Sequence, residues 1–120
     1  MSSHQEKPHK RLLAWQRSMD LVEAVYRCSQ NFPAEERYGL TSQIRRAAIS
    51  APSNIAEGAP AQSKDEKRRY FSYAVNSLNE VDTQLEIAQR LKYLGIAEYR
   101  ELQTLLDEAL ALTFGLRKSL

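Results

Sequence analysis

Residues 63–95 read SKDEKRRYFSYAVNSLNEVDTQLEIAQRLKYLG, and their spacing decides what kind of fold the chain can make. Phe71, Ala74, Leu78, Val81, Leu85 and Ala88 recur at alternating steps of three and four, an apolar seam carried for more than two heptads. A seam of this kind belongs to a helix packed along its length against other helices. Ser63 and Glu66 have capping-box spacing, the hydroxyl bonding forward and the carboxylate reaching back. Gly95 is expected to close the helix, giving a rod of about 32 residues and about 48 Å.

Upstream, QIRRAAISAPSNIAEG at 43–58 is small and polar, with a proline in the middle, yet it reads as helix. Leu40, Ile44, Ala47, Ala48, Ala51 and Ile55 share one face, so this second helix can sit close to its neighbours. Thr41 reads as its N-cap after the turn residue Gly39, and Gly58 and Pro60 as its stop. Pro52 removes one backbone donor and crowds the Ala48 carbonyl, which predicts a bend there. Nearby Ser50, Ser53 and Asn54 are placed to bond the disturbed backbone.

A first helix is predicted over residues 13–31, where Trp15, Met19, Val22 and Tyr26 form a stripe widened by Leu21, Val25 and Cys28; Pro33 ends it. A fourth is predicted over residues 97–118, with Leu102, Leu105, Leu106, Ala109, Leu112, Thr113 and Leu116 inward and no good N-cap. Short connections make consecutive helices antiparallel. The expected fold is all-α: an up-down-up-down four-helix bundle with a long third helix and a proline-kinked second helix.

The chain has 120 residues, enough for one core. Residues 1–11, MSSHQEKPHKR, have no apolar core behind their charges and read as a flexible basic tail rather than a secretory signal; residues 12–120 form the bundle domain. No apolar run approaches the roughly 20 residues that span a membrane. The lone Cys28 has no internal disulfide partner, which fits a reducing cytoplasm.

Catalytic constellations are missing. His4 and His9 are the only histidines and both lie in the tail, so neither a metal site nor a Glu-x-x-His diiron site is anchored in the bundle. Cys28 has no histidine partner in the folded region and reads as core. No enzyme activity and no cofactor are expected.

Two polar features remain. Arg46, Asn54 and Glu57 on the second helix and Glu80 on the third can form a buried network that sets bundle register. The other feature is charge. Net charge is only +2, but an up-down bundle gathers residues 1–17, 57–69 and 114–120 at one end. That end holds ten basic and four acidic residues, +6, leaving −4 for the rest. Lys10, Arg11, Lys64, Lys67, Arg68, Arg69, Arg117 and Lys118 are its candidate phosphate-binding residues, with Tyr70 and Tyr73 beside them for base stacking. The competing reading makes KDEKRR a solvated face with its own acidic partners and Arg117 and Lys118 complements of a helix C-terminus. Tyr70, Tyr73, Ile87, Leu91 and Leu94 lie beside the main seam, a second apolar stripe suited to self-association. A nucleic-acid partner and a protein partner both remain open.

The segment LLAWQRSMDLVEAVYRCSQNFPAEERYGLTSQIRRAAISAPSNIAEG (12–58), followed by SLNEVDTQLEIAQRLKYLG (77–95), resembles the 23S rRNA intervening-sequence proteins. The most specific pieces are the FP-x-x-E-x-x-G-L-T-x-Q-I-R-R-A frame from Phe32 to Ala47 and PSNIAEG from Pro52 to Gly58. The resemblance implies a four-helix bundle assembling as a homopentamer, of bacterial origin. It also implies a distant likeness to the accessory protein of diversity-generating retroelements, which binds nucleic acid. It carries over no catalytic residue. Where members of that family often have Gly before the serine of the third helix, this chain has Asn76.

Overall fold

Four α-helices follow one another in the computed structural model, which describes residues 7–120: α1 (Leu13–Ser29), α2 (Leu40–Gly58), α3 (Lys64–Arg90) and α4 (Ile96–Lys118). One 3-10 turn, Pro8–Arg11, precedes α1, and another, Ala34–Glu36, lies between α1 and α2. Residues 1–6 of the expected tail lie outside the described residues. The remainder of that segment folds onto the bundle: the His9 ring meets Trp15 edge-on at 5.1 Å, and Gln16 Nε2 donates to the Lys10 carbonyl. Each helix packs on both neighbours in a closed square, α2 against α3 most extensively.

The expected seams of α2 and α3 are the core. Ile44, Ala48, Ala51, Ile55, Ala74, Leu78, Val81, Leu85 and Ala88 are completely buried. Alanine at the contact lets the two backbones approach closely, and truncating a buried leucine such as Leu78 to Ala costs about 2–5 kcal/mol. Gly58 belongs to the same close approach. A Cβ there would sit 2.8 Å from Phe71 Cε1 and 3.0 Å from Tyr70 Cβ. It ends α2 without a positive φ, so the glycine serves the helix contact rather than the turn.

On α1 the expected stripe is rotated. Ala14, Ser18, Leu21, Val25 and Cys28 are buried, whereas Met19 and Tyr26 are more than one-third exposed. The small residues fit the crowded interior, and the bulkier Trp15, Met19, Val22 and Tyr26 fall on the flank beside α2. Leu94, expected beside the seam, is instead part of the main core.

The helix ends depart from expectation for local reasons. Thr41 is not the N-cap of α2. Gly39 takes that place, and the Leu40 N–H is satisfied from outside by Glu36 Oε1 at 3.0 Å. A Cβ on Gly39 would lie 2.8 Å from that oxygen, so glycine leaves room for the carboxylate. At the start of α3, Ser63 Oγ accepts from the Glu66 N–H as expected. The end of α3 comes at Arg90, before Gly95, because Lys92 adopts φ 64°. The Tyr93 N–H then donates to the Ala88 carbonyl and the Lys92 N–H to Gln89, a Schellman closure built on lysine. Gly95 instead opens α4, its N–H donating to Glu98 Oε1 at 3.2 Å. That is the returning half of a capping box; glycine has no side chain for the other half.

Around Pro52 α2 remains continuous. Ser53 Oγ donates to the Ile49 carbonyl and Asn54 Nδ2 to the Ser50 carbonyl and hydroxyl, one and two residues beyond the Ala48 carbonyl that the proline disturbs.

Candidate functional site

The N-terminal turn, the α2–α3 connection and the end of α4 meet at one pole. Pro8, Leu12, Ala59, Lys67, Leu116 and Leu120 line a cavity of about 250 Å³ there, above a small apolar cluster of Ala14, Ile55, Phe71 and Ala74. The eight predicted cations are carried on these segments, but Lys67, Arg68, Arg69 and Arg117 have internal work. Lys67 is half-buried and donates from Nζ to the Ala59 carbonyl at 2.6 Å and the Gly58 carbonyl at 3.4 Å. It caps the negative end of α2. Arg68 pairs with Asp65 at 3.0 Å and Arg69 with Glu66 at 3.9 Å. Arg117 donates to Ser72 Oγ at 3.2 Å and covers the Phe114 ring.

Lys10, Lys64 and Lys118 are exposed, and among the described residues none has an acidic partner. Arg11 is exposed at the end of its 3-10 turn. Arg17, counted with this pole, is held by Asp20 at 2.9 Å and Glu108 at 3.4 Å. Tyr70 and Tyr73 stack edge to face at 6.0 Å, with Arg69 over Tyr70 and Tyr73 nearly half exposed.

The expected network of Arg46, Asn54, Glu57 and Glu80 does not form within the chain. Ser77 Oγ donates to Ser50 Oγ at 2.8 Å, which fixes the antiparallel register and brings Arg46 level with Glu80. Both are exposed, however, because Ala47 and Val81 occupy the contact between them. Among the described residues Glu80 accepts only from Gln84, Glu57 faces solvent, and Asn54 bonds within its own helix. Asn76 is exposed, so its added bulk stays outside the contact that Ser77 makes.

The polar network the chain does build joins α3 to α4. Tyr99 donates to Glu86 Oε1 at 2.8 Å, Arg90 Nε to Glu86 Oε2 at 2.9 Å, and Gln103 to Asp82 Oδ1 at 2.8 Å and the Tyr99 hydroxyl at 3.2 Å. These bonds hold the Glu86 carboxyl below its ordinary pKa, the Tyr99 hydroxyl first among the causes. The signal was available in the sequence: Asp82, Glu86 and Arg90, and again Tyr99 and Gln103, stand four apart on facing helices.

Cys28 lies in a cavity with Arg27, Glu98 and Glu101. Burial, reinforced by Glu98 and partly offset by Arg45, pushes its thiol up to about 11, which keeps it a neutral thiol rather than a nucleophile. Among the described residues no three His, Cys, Asp or Glu side chains are grouped to hold a metal ion. Nor is any described helix long and apolar enough to cross a membrane.

Comparison with curated proteins returns no match for this chain. The family model described as 23S rRNA-intervening sequence protein matches residues 10–115, extending at both ends the 12–95 span that carries the resemblance. With four helices in the expected order beneath that match, the chain belongs to the 23S rRNA-intervening sequence protein family.

Proposed function

We propose that this is a non-enzymatic, self-associating protein of the reducing cytoplasm that binds structured RNA or DNA through its basic pole. The observation that carries the proposal is the convergence there of three chain segments whose exposed lysines, Lys10, Lys64 and Lys118, have no acidic partner among the described residues. Phosphates would engage these three first, because Lys67, Arg68, Arg69 and Arg117 are already committed to internal partners. Assembly of several copies repeats the patch, and repeated weak contacts multiply affinity.

The test is a salt titration of binding to a hairpin RNA with Lys10, Lys64 and Lys118 all changed to Ala. Each lost phosphate contact lowers the slope of log K against log salt by about 0.9. Affinity and slope equal to wild type would overturn the reading. Lys67 is left intact because its loss would uncap α2.

A second reading, a protein–protein assembly module, is favoured by the apolar groove between α1 and α2 lined by Trp15, Met19, Val22, Ile49 and Pro52. One stoichiometric protein partner surviving nuclease treatment, with no RNA binding, would select it.

A further inference from the structure

We infer that a second nucleic-acid contact, specific for single strands, lies far from the basic pole, in the groove where the end of α1, the α1–α2 connection and the start of α2 meet. This groove of about 500 Å³ is lined by Arg37, Arg45 and Arg46 together with Tyr26 and Tyr38, and among the described residues no carboxylate lines it. Its volume is in the range of small-ligand sites.

Three guanidinium groups without a lining carboxylate are unusual in a chain of net charge +2. The nearest acid in sequence, Glu36, is turned away: its two oxygens accept from the Leu40 N–H and the Tyr93 hydroxyl. Arg45 is built in. Its Nε donates to Ser29 Oγ at 2.8 Å, its Nη2 to the Tyr26 carbonyl at 3.4 Å, and its guanidinium lies 4.4 Å from the Tyr26 ring centroid. An arginine held this way keeps its charge in one place at little further entropic cost on binding. Arg46 beside it is exposed, with no ion pair among the described residues.

The aromatic component is equally unspent. Tyr38 is 86% exposed, the most solvent-open of the described large hydrophobic side chains, and its one ring partner among the described residues is Arg37 at 5.4 Å. Among the described residues, no other side chain is stacked on its ring. Guanidinium groups that meet phosphates, beside an open aromatic face on which a base can stack, are what a single strand requires. A duplex offers the phosphates but keeps its base faces hidden.

The groove stands apart from the basic pole, and the experiment separates them. A labelled ten-residue deoxythymidine strand and a blunt-ended duplex are each titrated against the intact protein. The same titrations are run on Tyr38→Ala, on Arg37→Gln/Arg46→Gln, and on the Lys10, Lys64 and Lys118 alanine variant. Tyr38 supports no packing, so its loss leaves the fold intact. The expected result is roughly tenfold weaker binding of the strand by Tyr38→Ala, with the duplex unaffected. The double arginine variant should lower the single-strand salt slope by about 1.4, two contacts at about 0.7 each. Both effects should persist when the groove changes are combined with the Lys10, Lys64 and Lys118 alanine changes. Wild-type binding by both groove variants overturns the inference. So does a protein that binds the duplex but not the strand, an outcome that leaves the basic pole standing. A change in mass on light scattering of Tyr38→Ala also overturns it, by making the groove a contact between copies.

Discussion

Lys92 shows how one residue can redraw a helix boundary. A β-carbon at φ 64° is strained, and the Schellman closure of α3 places a lysine where glycine is the usual choice. The sequence offers Gly95 as the stop, and nothing in a lysine announces a left-handed conformation. Lys92→Gly should therefore stabilise the protein by about 0.5–1 kcal/mol, read as a higher urea midpoint with unchanged slope. An unchanged or lower midpoint would show that the turn is held by other contacts. Cys28 supplies a second prediction. With its thiol pushed up to about 11, a thiol reagent at pH 8 should label it only through unfolding, far more slowly than an exposed cysteine. The unfolded thiol ionises near 9, so the buried neutral form adds stability that is present below pH 9 and lost as pH rises toward 11. Rapid labelling of the folded protein at pH 8 contradicts this.

At the scale of elements, the connections are tied together by a carboxylate whose role the sequence hides. Glu36 accepts from the first N–H of α2 and from Tyr93 in the α3–α4 connection, while the Tyr93 ring packs on Phe32 at 5.7 Å. The bond from Leu40, then that from Tyr93, holds the Glu36 carboxyl below its ordinary value. A depressed carboxylate adds stability that is present above its unfolded pKa and lost as pH falls through the folded one. Glu36→Gln should thus have a lower thermal midpoint than wild type at pH 7, with the gap closing as pH falls below the ordinary glutamate pKa. A gap independent of pH would remove the charge from the explanation. The periodic parts of the elements were legible: the α2 face and the α3 seam are buried as their spacing requires. Their ends were less so, because Glu36, Lys92 and Glu98 act through backbone geometry that a residue's identity does not specify. The polar network failed for a related reason. Sequence could set the level of Arg46 and Glu80, but it did not fix the angle at which each leaves its helix. For the basic pole, sequence gave the converging segments but not the fact that Lys67, Arg68, Arg69 and Arg117 would be occupied.

The whole molecule leaves apolar surface on two different sides. Met19, Tyr26 and Ile49 lie more than one-third exposed along α1 and α2, and Tyr73, Ile87 and Leu91 are exposed along α3 and just beyond its end. A bundle measuring 43 × 32 × 25 Å has no interior left for them. Two unlike faces suit head-to-tail contacts, in which one side of each copy meets the other side of the next, and such contacts close into a ring when the rotation permits. A two-fold dimer needs only one self-complementary face and would leave the other bare. Met19 is the better probe, since Ile49 also borders the arginine groove. Met19→Glu places a charge in the apolar groove without touching the core. It should lower the mass found by light scattering toward that of one chain, 13.7 kDa, while leaving the helical circular dichroism unchanged. In the same variant, hairpin binding should weaken through lost multivalency, with the salt slope per chain preserved. A variant that keeps the wild-type mass would show that this face does not join copies, and the α3 side alone would then have to account for any assembly.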